Sequence, residues 1–150
     1  MRTWNRFAVF SLSLLAFAGL ASAAENKLMH CFAFTAIEGA TDADWKAFYQ
    51  ATDALPGKIP GLTKVWYGKL RNPMYQFAPD AETRKKFTKE VNKATGDINR
   101  VYRQYGVCME MTDEAALKAY VAAPAKKEWD AIYAKVRVPG TTTFDIMPTK

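Results

Sequence analysis

The stretch KLMHCFAFT, residues 27–35, is the clearest strand in the sequence. Its density of apolar and aromatic residues predicts a buried β-strand. Because side chains alternate between the two faces of a strand, His30, Phe32 and Phe34 share one face and Cys31 lies on the other. The segments before and after this strand determine what covers each face.

Residues 1–23 have the features of a secretory signal peptide. A basic start precedes an apolar run at 7–20, and Ala-Ser-Ala supplies small residues before a cleavage site. A membrane-spanning helix needs about 20 apolar residues, so this shorter run predicts export without a stable membrane anchor. We expect cleavage after Ala23 and a periplasmic or secreted protein. The mature chain, residues 24–150, is expected to be one domain.

Charge patterning argues against a nucleic-acid partner. The chain has 21 Lys+Arg and 15 Asp+Glu, a net charge of +6, which falls to +4 once Arg2 and Arg6 leave with the signal peptide. Residues 80–103 hold seven basic and four acidic residues, and therefore most of the remaining excess. Because acidic residues are interspersed and exposed aromatic residues are not interleaved, we interpret this segment as a solvated helix face.

The chain after the first strand predicts two β-α-β units. Thr41 with Asp44 resembles a capping box, and Pro124 suits the first turn of a helix. Pro56-Gly57 is predicted to end the first helix. The predicted elements after residues 27–35 are a helix from Thr41 to Leu55, a strand at 62–70, a strand at 102–111, helices starting at Asp113 and Pro124, and a strand at 141–147.

An insertion at about 71–103 separates the two units. Pro79-Asp80 predicts a helix start, Phe87, Val91 and Ala94 would share one narrow face, and Gly96 would end the helix. The whole pattern predicts an α+β fold of the ferredoxin-like kind: a four-stranded antiparallel sheet, helices on one face and a helical insertion between strands two and three. Apolar side chains on the bare sheet face require a partner, so we expect a homodimer through that face.

Five pieces of sequence occur in an order known from one family. They are His30, Ile-Pro-Gly at 59–61, Trp-Tyr-Gly-Lys at 66–69, TDEAALKAY at 112–120, and Phe144-Asp145. In this order and spacing the chain resembles the stress-responsive α/β-barrel domain (Dabb) family of the dimeric α+β barrel superfamily. The resemblance spans nearly all of residues 24–150 except the insertion. It implies a pocket between the sheet and the helices, on the His30 side.

The resemblance fails at the helix histidines on which the chemistry of the family depends. The family includes a plant polyketide cyclase with a strand histidine and a helix histidine, and many members carry His-Pro-x-His after the tyrosine that matches Tyr120. Here Ala123 and Lys126 replace the two histidines. A lysine at an exposed helix start is ordinarily protonated, so it cannot serve as a base near neutral pH. We therefore expect a non-catalytic protein.

Several side chains are candidates for the lining of this pocket. An aromatic lining would suit a small, planar apolar or aromatic ligand. The alternative is that these side chains fill the core and that His30 is a hydrogen-bonded histidine at a strand edge. The candidates are His30, Phe32, Phe34, Phe48, Tyr49, Tyr105, Val107, Met109, Tyr120, Lys126 and Trp129.

Two other functions stay open. The chain could be a cofactor-independent enzyme of the cyclase or monooxygenase type, using His30 and one of Tyr49, Tyr105 or Tyr120. Other α+β barrels bind haem through a helix histidine, whereas the single histidine of this chain lies in a predicted strand. We expect no cofactor.

The cysteines complete the set of reactive residues. One histidine and two cysteines cannot supply a His₃, Cys₄ or Cys₂His₂ site, so no metal is expected. Cys31 and Cys108 lie on neighbouring predicted strands, on the face away from His30, which excludes a Cys-His nucleophile pair. A disulfide would depend on the strand register. We expect two free buried thiols or a pair at an interface.

Overall fold

Four antiparallel strands and the helices that cover one face of their sheet make up the computed structural model, which describes residues 27–149. The predicted signal peptide lies outside the described residues. No helix within this range is long and apolar enough to cross a membrane. The elements are β1 Leu28–Phe34, α1 Asp42–Asp53, α2 Leu55–Lys58, β2 Leu62–Pro79, α3 Ala81–Lys85, β3 Ile98–Met111, α4 Glu114–Ala122, α5 Pro124–Tyr133 and β4 Thr142–Ile146.

The sheet order is β2-β3-β1-β4, and every neighbouring pair is antiparallel. This confirms the predicted ferredoxin-like α+β architecture. The first predicted strand is β1, which lies at the centre of the sheet. His30 is therefore flanked by Met109 of β3 and by Asp145 of β4.

The helix starts follow the predicted capping chemistry. The Thr41 side chain accepts a hydrogen bond from the Asp44 backbone N–H at 3.1 Å, and the Asp44 carboxylate accepts the Thr41 N–H at 3.1 Å. Asp113 caps α4 in the same way by accepting the Ala116 N–H at 2.8 Å. Pro124 occupies the first turn of α5, where its missing N–H costs nothing.

The predicted end of the first helix is wrong by a few residues. α1 ends at Asp53, and Pro56-Gly57 lies inside the short helix α2 instead of stopping a helix. Proline is tolerated there because the first turn of a helix leaves its N–H groups unbonded. The Pro-Gly pair thus helps to start a new turn.

The insertion differs most from the prediction. Only Ala81–Lys85 is helical, and β2 and β3 extend past the sheet as a paired arm formed by Met74–Pro79 and Ile98–Arg103. The arm is rich in aromatic and β-branched residues, which favour strands. Phe87 and Val91 of the predicted helix stay 40% and 44% exposed. With no core to bury that face, a longer helix lacks the packing that stabilises helices in proteins.

The two cysteines form a disulfide between β1 and β3. Cys31 and Cys108 are direct register partners with Cα atoms 4.2 Å apart, so the expectation of two free thiols or an interface pair is wrong. The antiparallel register places them opposite each other, which sequence spacing alone does not determine. The disulfide lies on the sheet face away from the helices, called the open face below. The main core lies on the other face, around Phe34, Phe48 and Tyr133.

Candidate functional site

His30 is held by a carboxylate from the neighbouring strand. Its Nδ1 lies 2.7 Å from Oδ1 of Asp145, which is its direct register partner on β4. The His30 side chain is only 16% exposed. A carboxylate on Nδ1 fixes the orientation of the ring and leaves Nε2 as the nitrogen that can meet another molecule. The imidazole therefore has a polar partner that the sequence did not indicate.

A cavity of about 210 Å³ lies between the sheet and the helices, on the His30 side. It is called the helix-side cavity below. Side chains of β1, α4, α5 and β4, and of the segment that leads into β4, form its lining. The lining residues are His30, Phe32, Tyr120, Lys126, Trp129, Asp130, Tyr133, Arg137, Thr141 and Thr143.

The predicted pocket residues separate into three places. His30, Phe32, Tyr120, Lys126 and Trp129 meet in the helix-side cavity. The second group is fully buried in the core and consists of Phe34, Phe48, Val107 and Met109. Tyr49 and Tyr105 both pack against Trp45, with ring centroids 5.7 and 4.7 Å from its ring. The structure thus brings part of the predicted set together and leaves the rest as packing.

Lys126 is engaged by two groups of the cavity. Its Nζ forms an ion pair with Asp130, one helical turn further along α5, and lies 5.7 Å from the centroid of the Tyr120 ring. The residue that replaces a family histidine therefore lines the cavity as one half of an ion pair. Asp130 was not among the predicted site residues, although its i,i+4 spacing from Lys126 is the usual signal for such a pair.

Two tyrosines supply hydroxyl groups that stay protonated. Tyr120 lies 5.7 Å from the His30 ring, and burial raises the pKa of Tyr120 well above its usual range. Burial likewise raises the pKa of Tyr133, and this effect exceeds the opposing one of Arg137 and Arg103 nearby. At neutral pH both phenols are hydrogen-bond donors rather than phenolates.

Besides Asp130, sequence reasoning missed four residues of the cavity lining: Tyr133, Arg137, Thr141 and Thr143. The guanidinium carbon of Arg137 lies 4.6 Å from the centroid of the Tyr133 ring. Within residues 27–149 neither the Tyr133 hydroxyl nor Arg137 Nε has a hydrogen-bond partner, although both atoms are buried. The four-residue spacing of Trp129 and Tyr133 on α5 could have indicated Tyr133. Arg137 lies beyond the helix, where periodicity gives no signal.

The sequence matches no family model and no curated protein. The structure is similar to a Dabb family protein with a ferredoxin-like fold from Mesorhizobium loti, at 14% identity over 83% of this chain and 98% of that chain, with a TM-score of 0.52. A dimeric ferredoxin-like protein of unknown function from Thermobifida fusca is 16% identical over 81% and 91% of the two chains, with a TM-score of 0.52.

A hydroxynitrile lyase from Passiflora edulis is 7% identical over 84% of this chain and 96% of that chain, with a TM-score of 0.55. At these identities the similarity concerns the fold. This chain has a ferredoxin-like α+β fold, as its sequence pattern indicated.

Proposed function

We propose that this protein is an exported Dabb-type α+β barrel that acts as a homodimer and binds a small aromatic molecule in the helix-side cavity. The cavity itself carries the proposal. Phe32 and Trp129 offer aromatic faces with ring centroids 6.0 Å apart. Most of the other lining side chains are polar, among them His30, Tyr120 and Lys126, so the cavity suits an aromatic ring that carries polar substituents.

The cavity is partly open to solvent, and the volume within it suits about one aromatic ring. A cavity of about 150 Å³ accommodates benzene. A space of about 210 Å³ therefore suits a single substituted aromatic ring better than a fused ring system. This makes the ligand class specific enough to test with a small panel of compounds.

Thermal shift and native mass spectrometry test the ligand. We expect a monocyclic aromatic compound to stabilise the protein, and a Thr143→Trp variant, which fills the cavity from β4, to abolish that shift. A Thr63→Trp variant is the matched control, because Thr63 is exposed on β2 and does not line the cavity. An equal shift in both variants, or no shift with any compound in the wild type, would contradict the proposal.

The apolar open face supports the homodimer. A cleft of about 280 Å³ on this face is lined by side chains that include Trp66, Leu70 and Phe144. Trp66 and Phe144 are 41% and 44% exposed. Contiguous exposed apolar side chains usually mark a protein interface. Sedimentation at micromolar concentration is the direct test, and a monomer there contradicts this part of the proposal.

The disulfide supports export. Structural disulfides persist in oxidising compartments such as the periplasm and are rare in the cytosol. The Cys31–Cys108 bond therefore agrees with the signal peptide proposed for residues 1–23. Intact mass of protein from the periplasmic fraction should show a chain that begins at Ala24, and a full-length chain confined to the cytosol would contradict it.

A second candidate is a cofactor-independent enzyme of the cyclase or monooxygenase type that moves a proton with His30. The hydrogen bond between His30 and Asp145 favours it, because a carboxylate partner is what a catalytic imidazole needs to stay oriented. Tyr120 is the pocket tyrosine nearest to His30. Deuterium incorporation into a bound carbonyl compound in D₂O should occur with the wild type and not with His30→Gln. Equal incorporation in both proteins removes this candidate.

A further inference from the structure

One face of the arm is apolar and exposed to solvent. Tyr75, Phe77, Ile98 and Tyr102 are 56%, 66%, 66% and 37% exposed. Tyr75 pairs with Tyr102 in the register, and Phe77 pairs with Arg100. Direct partners in an antiparallel pair share a face, and so do residues two positions apart on one strand, so these side chains lie on the same side of the arm. The four apolar and aromatic residues are called the apolar arm face below.

The opposite face of the arm is fastened to the rest of the sheet. Arg103 is buried and donates to Thr35 Oγ1 at 3.2 Å and to Thr142 Oγ1 at 3.3 Å. Gln76, which lies on the same side of the arm as Arg103, accepts a hydrogen bond from the Thr142 hydroxyl at 2.5 Å. These contacts hold the arm in place and leave the apolar arm face directed away from them.

Exposed apolar residues are concentrated in this part of the described chain. Seven of the thirteen large hydrophobic side chains that are exposed within residues 27–149 lie between Met74 and Tyr102, in less than a quarter of that range. A contiguous exposed group of this kind usually marks a surface that contacts another molecule. The apolar arm face therefore calls for a partner outside residues 27–149.

The charge beside the apolar arm face is positive. Residues 80–103 hold seven basic and four acidic residues, and all of the basic ones except Arg103 are exposed. Of the ion pairs among the described residues, one lies in this segment and joins Lys85 to Glu82. The Arg100 guanidinium carbon lies 5.2 Å from the centroid of the Tyr75 ring. Exposed aromatic side chains and unbalanced positive charge therefore occur together on the arm.

We infer that the arm binds the surface of a lipid bilayer that carries anionic headgroups. The apolar arm face lies at the boundary between headgroups and acyl chains, and the basic residues meet the headgroups. Exposed aromatic and aliphatic side chains combined with lysine and arginine are typical of segments that bind membrane surfaces. Such binding is reversible and requires no spanning helix. It does not depend on the ligand proposed for the helix-side cavity.

A second copy of the chain and a nucleic acid fit this surface less well. Two arms packed against each other would bring like charges together, which disfavours association. Nucleic acids stack their bases on aromatic rings, but Ile98, which is as exposed as Phe77, has no ring to offer. An anionic bilayer uses both the apolar side chains and the positive charge.

Flotation of the purified protein with vesicles tests the inference. One set of vesicles is phosphatidylcholine alone, and in the other phosphatidylglycerol replaces a third of the lipid. We expect the anionic vesicles to bind at least about ten-fold more tightly than the neutral ones, and less tightly at high salt. Wild type and variants are compared with identical N-termini, checked by intact mass, so any contribution of residues 1–23 cancels.

Two arm variants and a matched control identify the surface. Phe77→Ser and Ile98→Ser should each weaken binding to the anionic vesicles about ten-fold, because each removes an apolar side chain that the lipid buries. Val121→Ser, at a position on α4 that is 62% exposed, should leave binding within about two-fold. All three positions are on the surface, so the melting temperatures should stay close to that of the wild type.

A second pair of variants tests the charge. Arg100→Gln should weaken binding to the anionic vesicles about five-fold, whereas Lys118→Gln, an exposed cation on α4, should leave it within about two-fold.

Anionic vesicles that fail to bind the wild type, or that bind Phe77→Ser and Ile98→Ser as tightly as the wild type, overturn the inference. If the wild type does not bind and these variants change the sedimentation of the protein, a second copy covers the apolar arm face instead.

Discussion

The Tyr67 hydroxyl donates to Asp53 Oδ1 at 2.7 Å, which ties β2 to the end of α1. Burial, and then this carboxylate, raise the pKa of Tyr67 from 10.0 to about 12. The folded-state pKa lies above that of the unfolded chain. The stability that the protonated Tyr67 hydroxyl contributes is therefore complete below about pH 10 and is lost as the pH rises through about 12. The urea midpoint should therefore fall between these pH values.

Asp53→Asn tests this origin of the pH dependence. The new amide would still offer an oxygen to the hydroxyl but would carry no charge, so the pKa of Tyr67 should move back toward 10.0. The loss of stability between about pH 9 and pH 11 should then be smaller than in the wild type. Tyr120 and Tyr133 contribute equally in both proteins and cancel in the comparison. An identical pH profile would show that burial alone sets the pKa.

The Cys31–Cys108 bond should contribute substantially to stability. It joins residues 77 apart in sequence, and disulfides of this kind contribute about 2–4 kcal/mol, mainly by restricting the unfolded chain. The double variant Cys31→Ala, Cys108→Ala should lose about this much in urea unfolding. Thiol titration of the unfolded, unreduced protein should find no free thiols. Two free thiols there would mean that the bond does not form.

At the scale of elements, the sequence predicted where helices start but not which distant residues pack or pair with one another. Thr41, Asp113 and Pro124 mark helix starts because capping depends only on residues three or four positions apart. The long helix predicted in the insertion was wrong, because no core lies against its apolar face. Whether such a face is buried depends on distant parts of the chain. The cysteine pairing depends on register in the same way.

The candidate site shows the same division. Strand alternation placed His30 and Phe32 on the helix side, where both line the cavity. The partner of His30, Asp145, comes from the far end of the chain, and only the sheet order brings the two strands together. Arg137 lies in an irregular segment, for which neither strand nor helix periodicity applies.

The segment 81–96, which forms the tip of the arm, should be dispensable for the helix-side cavity. None of the cavity residues belongs to 81–96, and Thr83 is the one buried residue among these sixteen positions. The Asp80 N–H already donates to the Asp97 carbonyl at 3.0 Å, so an Asn-Gly turn in place of 81–96 would close a two-residue hairpin. We expect such a protein to fold and to keep the thermal shift that a monocyclic aromatic compound gives in the wild type. Loss of cooperative unfolding would show instead that the tip supports the sheet.

On the scale of the whole molecule, the sheet separates two apolar surfaces with different roles. The helices cover one surface and enclose the main core and the helix-side cavity. The open face carries the disulfide and exposed aromatic side chains, with Phe144 directly opposite Cys31 in the register. If this face is the dimer interface, a charge placed there should break the dimer without disturbing the core or the cavity.

Phe144→Glu tests that separation. Burying a carboxylate in an apolar interface without a partner is costly, so the variant should sediment as a monomer at concentrations where the wild type is a dimer. Val121→Glu is the matched control: Val121 is 62% exposed, but it lies on α4, on the helix side of the sheet. It should remain dimeric. Dimers of equal stability in both variants would exclude the open face as the interface. A monomeric Phe144→Glu that keeps the thermal shift with a monocyclic aromatic compound would show that each cavity is complete within one chain.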